Sequence, residues 1–65
     1  MDPLISEYQS EDGTRSSQIV LGEDHVYVIL YYDEGALVAS RRYPSKTLNW
    51  AEDQAENWVL GKLTI

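Results

Sequence analysis

Val26-Tyr27-Val28-Ile29-Leu30-Tyr31-Tyr32, then Asp33-Glu34-Gly35, then Ala36-Leu37-Val38-Ala39-Ser40-Arg41-Arg42-Tyr43, is the stretch whose reading decides the fold. The first seven residues are dense in β-branched and aromatic side chains, and the last eight return along them. The acid-acid-Gly triplet between them has hairpin-turn chemistry. With a three-residue loop, Tyr32 pairs with Ala36, Leu30 with Val38 and Val28 with Ser40. Alternation then puts Tyr27, Ile29, Tyr31, Leu37, Ala39, Arg41 and Tyr43 on one face. Val26, Val28, Leu30 and Val38 form an aliphatic face on the other side, which is expected to receive a helix. Both faces are apolar enough to serve as core.

Upstream of the hairpin, residues 4–9 and 14–21 read as two more strands. Ser10-Glu11-Asp12-Gly13 between them suits a type I turn with glycine in the left-handed position. Gly22-Glu23-Asp24 makes the next turn, and the hairpin strands are expected over 25–32 and 36–43. Pro44 cannot continue a ladder. A helix over about 47–60 follows, capped by Ser45 or Thr47 and ended by Gly61. At about 100° per residue, Leu48, Ala51, Ala55, Trp58 and Val59 share one stripe. Asn49, Asp53, Glu56 and Asn57 lie opposite, and Trp50 and Leu60 fall off the stripe. The expected architecture is α+β: one domain over 1–65, an antiparallel β-meander of three to four strands, and one C-terminal amphipathic helix packed on one face.

Sixty-five residues without a cysteine must be held by packing alone, because neither a disulfide nor a thiolate metal site is available. Two Trp and five Tyr with no Phe supply that packing, each carrying a polar tip that needs a partner or water. Charge is uneven along the chain. Residues 1–34 hold eight acids against Arg15 alone, a net of −7, while residues 35–65 carry a net of +1. The overall −6 repels phosphate backbones and anionic lipid, which speaks against nucleic-acid and membrane-surface partners. No apolar run approaches the ~20 residues that span a bilayer. Met1-Asp2-Pro3 does not open a signal peptide, so a cytoplasmic location is expected by default.

The chain is poor in catalytic patterns. His25 is the sole histidine, which removes His-His metal pairs, and no serine sits in a Gly-x-Ser-x-Gly context. The acid pairs Glu11-Asp12, Glu23-Asp24 and Asp33-Glu34 do not alternate as calcium-loop ligands do, and they read as solubilising turn residues. There is no phosphate loop and no nucleotide fingerprint. No catalytic residue, metal, cofactor or small-molecule substrate is assigned, and a non-enzymatic role is expected.

Two surface groups remain. Tyr27, Tyr31 and Tyr43, with Trp50, form an aromatic surplus suited to a protein partner or a homodimer, because tyrosine buries area at low entropic cost. Arg41, Arg42 and Lys46, flanked by Tyr43, make the one basic cluster, the alternative being single-stranded nucleic acid read by stacking over a charged groove. Internal pairing of these cations with the acidic turns or the helix is the blander account.

The Tyr-Tyr-Asp-Glu-Gly hairpin, the Arg-Arg-Tyr-Pro strand end and Ala51-Glu52-Asp53-Gln54-Ala55-Glu56-Asn57-Trp58-Val59-Leu60-Gly61 together resemble small uncharacterised proteins of marine tailed phages, cyanophages especially. The resemblance covers a little over half the chain. It implies a phage or marine-bacterial origin, and carries over no activity, site residue or cofactor.

Overall fold

A computed structural model describes residues 4–64. Four strands, β1 (Leu4–Gln9), β2 (Arg15–Leu21), β3 (Tyr27–Asp33) and β4 (Ala36–Tyr43), form one antiparallel sheet in the order β1-β2-β3-β4. One helix, α1 (Leu48–Val59), packs across β1, β2 and β3 and lies closest to β2. The domain is α+β, with the meander and the C-terminal helix that the pattern predicts.

Each connection has a local cause. In the first turn, Gly13 donates to the Ser10 carbonyl at 3.1 Å and Ser10 N–H reaches the Arg15 carbonyl at 2.9 Å. The Asp12 carboxylate accepts from the Ser10 hydroxyl (2.8 Å), the Thr14 amide (3.0 Å) and the Thr14 hydroxyl (2.8 Å). These three donors hold the Asp12 carboxyl at about 2, below its ordinary 3.8. Between β2 and β3, Glu23–His25 form a single 3₁₀ turn with Asp24 and His25 at φ of 59° and 58°. β3 therefore begins at Tyr27 and not at 25.

The central hairpin differs from the expected three-residue loop. Its turn is Glu34-Gly35, with φ of 51° and 83°, and Asp33 pairs with Ala36. Positive φ at both central residues is the primed turn that matches strand twist, and glycine takes the second position without a Cβ penalty. Tyr32 then pairs with Leu37, but Tyr31 pairs with Ala39, so Val38 is an extra residue, a β-bulge. Beyond it the register continues as Leu30↔Ser40, Val28↔Arg42 and Tyr27↔Tyr43. A second bulge places Ile5 between Leu4↔Val20 and Ser6↔Ile19. Both edge strands thus carry a bulge, a device that discourages edge-to-edge pairing.

Thr47 caps α1, its hydroxyl accepting from Trp50 N–H at 3.2 Å. The helix ends as expected at Gly61, φ 77°, where Gly61 N–H meets the Trp58 carbonyl (3.1 Å) and Lys62 N–H the Asn57 carbonyl (2.9 Å). That pair of bonds is a Schellman motif.

The face that receives α1 is the reverse of the expected one. Ile19, Ile29 and Tyr31 lie fully buried against Ala51, Ala55 and Trp58, while Val28, Leu30 and Val38 point away. The two alanines let α1 approach so closely that the buried Ser17 hydroxyl donates to the Ala55 carbonyl at 3.0 Å. A helix with a small-residue stripe fits large sheet side chains, which is why the tyrosine and isoleucine face is the one covered. Trp58 closes the layer. Its Nε1–H donates to the Tyr32 carbonyl at 3.0 Å, and its ring meets Tyr31 edge-on at 5.5 Å. Arg15 stacks 4.0 Å over the same ring and donates to the Trp58 carbonyl at 3.2 Å, placing a cation at the negative end of the helix.

Candidate interaction surfaces

The aromatic group singled out by sequence comes together, but under the helix. Tyr31 is 0% exposed, and Tyr27 and Tyr43 are half-buried against the core. The Tyr31 and Tyr43 hydroxyls lie 2.8 Å apart, and the Tyr43 ring meets Trp50 edge-on at 4.7 Å. Burial pushes the Tyr31 phenol well above its ordinary 10.0, the hydrogen bond to Tyr43 adds to this, and the charge of Arg41 opposes it. Trp50, off the apolar stripe of α1, is explained by this contact with β4. The expectation that Tyr27, Tyr31 and Tyr43 form an uncovered face is therefore corrected: α1 occupies that side.

The basic cluster divides. Pairing across from Ile29 puts Arg41 on the α1 side, while Arg42, across from Val28, lies on the other. Lys46 Nζ stands 4.9 Å over the Trp50 ring. None of the three makes a hydrogen bond or ion pair with a carboxylate among the described residues, so the expected internal pairing gives way to a cation–π contact at Lys46 and solvent exposure at Arg41 and Arg42. One face of Trp50 meets Lys46 and the ring packs edge-on with Tyr43, which leaves little free aromatic surface for stacking on bases.

The side without the helix carries a surface that sequence reasoning assigned to the core. Its rows follow the register: Leu4, Val20, Val28 and Arg42; then Glu7, Gln18, Leu30 and Ser40; then Gln9, Ser16, Tyr32 and Leu37. Leu4 and Leu37 are about half exposed, at 54% and 55%, and Val20, Val28, Leu30 and Tyr32 keep part of their surface in water. Three polar side chains in this face pair with one another: Tyr32 Oη donates to Gln18 Oε1 (3.4 Å), and Gln18 Nε2 donates to Glu7 (2.9 Å). The surface is thus an apolar diagonal with a self-satisfied polar strip, negative along β1 at Glu7 and positive along β4 at Arg42. The signal that could have found it was the alanine stripe of α1, which called for the bulkier sheet face.

An open depression lies between the first turn and the end of α1, lined by Ser10, Glu11, Asp12, Arg15, Leu60 and Gly61. Of its charged groups, Asp12 is engaged within the turn and Arg15 on Trp58, while Glu11 is exposed to solvent. Among the described residues no three His, Cys, Asp or Glu side chains gather as a metal site would require, and no helix is long and apolar enough to cross a membrane. No protein-family model, curated protein or solved structure matches the chain.

Proposed function

We propose that this protein is a small acidic, non-enzymatic protein-interaction module, in keeping with a phage-type accessory protein, and that it docks through the helix-free face of its sheet. The observation that carries the reading is the contiguity of Leu4, Val20, Val28, Leu30, Tyr32 and Leu37 on a face against which α1 does not pack. Contiguous apolar surface rimmed by polar groups marks a docking site, because water contact there is costly and a partner removes it. Leu30 sits near its centre, where binding energy concentrates.

Val28→Lys and Leu30→Lys place charge on this face without touching the core. Each variant should keep its far-ultraviolet dichroism and lose the proteins that the wild type retains from an extract of its host. Trp50→Ala, at the other corner, should retain them. Capture that is unchanged by both lysines would overturn the reading.

A further inference from the structure

We infer that the helix-free sheet face is closed by a second copy of this chain, the two sheets packing face to face about a twofold axis that runs along the strands. This rests on the docking face proposed above and names its occupant. Three features lead to it.

The first is charge placement. On this face the cation, Arg42, lies on β4, and the acid, Glu7, lies on β1, at opposite edges of the sheet. A twofold along the strands lays β1 of one copy over β4 of the other, Arg42 over the partner's Leu4 and Glu7 over the partner's Ser40, so each Arg42 lies one row, about 7 Å along the strand, from the partner's Glu7 and its long side chain spans that offset, twice per dimer. Arg42 has no carboxylate partner among the described residues, and Glu7 accepts from Gln18 alone. An isologous interface requires a surface complementary to itself, and this distribution meets that requirement.

The second is satisfied polarity. Covering a face that holds unpaired donors would cost heavily, but Tyr32, Gln18 and Glu7 form a connected strip within the sheet. A second sheet can close over that strip and leave its three side chains hydrogen-bonded.

The third is area. Four strands ~4.8 Å apart and ~6 residues long at ~3.3 Å each present a face of roughly 20 by 20 Å. With side-chain relief, two such faces bury on the order of 1,200 Å², the lower bound of stable specific interfaces. Aligned sheets pack about 10 Å apart at about 30°, an angle set by the twist of each sheet and open to this four-stranded meander. The bulges at Ile5 and Val38 disfavour association through the edges and leave the face as the route.

The test is the solution mass by light scattering from low micromolar to about 1 mM, with charge-swap variants alongside. The wild type should reach twice 7.4 kDa. Glu7→Arg and Arg42→Glu should each weaken the dimer tenfold or more, and the double variant should recover most of that loss. Leu30→Lys should be monomeric with an unchanged dichroism spectrum. A wild type that stays monomeric at 1 mM overturns the second copy as occupant. In that case, capture of host proteins that Leu30→Lys abolishes would still uphold the docking face, with a different partner seated on it. A dimer indifferent to Leu30→Lys, or a double variant no tighter than the single ones, overturns the proposed arrangement.

Discussion

On the α1 side of the sheet Ile19, Ile29 and Tyr31 are fully buried, whereas their chain neighbours Val20, Val28 and Leu30 on the other side keep part of their surface in water. The two faces hold similar amounts of apolar side chain, so hydrophobicity did not choose between them. Shape and hydrogen bonding did. The covered face offers bulky rings and branched chains to a helix of alanines, a serine hydroxyl aimed at Ala55, and a carbonyl for Trp58 Nε1–H. The open face offers aliphatic surface with Tyr32, Gln18 and Glu7 paired to one another. A helix that settled there would gain area and lose every specific contact.

The largest expected effect falls on the residue that seals the covered side. Trp58→Ala removes the ring that touches Arg15, Tyr31 and Tyr32, and should cost about 3–5 kcal/mol. A domain of this length has a total of only ~3–10 kcal/mol, so this variant should be largely unfolded at room temperature by dichroism. A cooperative melt within a few degrees of wild type would contradict the packing described.

A matched pair sharpens the contrast between the faces. Ile29→Ala should cost about 2–5 kcal/mol in urea unfolding, and Leu30→Ala, one residue along on the half-exposed side, about 1 kcal/mol. Equal losses would mean that both faces are core. Such a measurement belongs at low protein concentration, where self-association adds nothing to Leu30.

Tyr31→Phe tests the polar seal over the covered face. It removes the hydroxyl that meets Tyr43, with an expected loss of about 1 kcal/mol. In the wild type, burial raises the Tyr31 phenol above its unfolded value of 10.0, so the neutral form is the one that folding favours. That stabilisation is complete below pH 10 and is lost as the pH rises beyond it. Phenolate absorbance at 295 nm should show Tyr31 ionising only together with alkaline unfolding. Full ionisation near pH 10 in a still-folded protein would contradict its burial.

The smallest effect lies at the first turn, remote from both faces. Asp12 is held at about 2 against an ordinary 3.8, so its contribution is present above pH 4 and fades as the pH falls toward 2. The group is fully exposed, and the loss should appear as faster amide exchange at Thr14 and Arg15 with little change in global stability. Asp12→Asn should show that faster exchange already at neutral pH.

Much of this arrangement was legible in the residues. The stripe Leu48, Ala51, Ala55, Trp58 and Val59 follows from helical period, and Gly61 and Thr47 mark its ends by the chemistry of left-handed φ and hydroxyl capping. The four strands follow from alternation between turn signals. What period alone cannot decide is which of two apolar faces a helix takes, because that depends on volumes meeting across a gap. Nor does local pattern announce a bulge: Val38 looks like any strand residue, and the shift it causes moved Leu37 to the open side. The two candidate groups stand out in the sequence as an aromatic surplus and an isolated cluster of cations. The helix then covered most of the first, and alternation split the second.

The extra residue at Val38 also makes strand β4 a parity device. Before it, Leu37 belongs to the open side; after it, Ala39, Arg41 and Tyr43 belong to the covered side. Removing Val38 alone would straighten the ladder and leave everything downstream on its present side, because Leu37 and Ala39 already pair with the successive residues Tyr32 and Tyr31. Removing Ala39 as well would exchange the sides of everything downstream. Tyr43 would leave Trp50 and Tyr31, and Arg42 would leave the open face. In this small sheet, therefore, the tolerance of β4 to change in length should alternate, a one-residue deletion at the bulge being far less disruptive than a two-residue one.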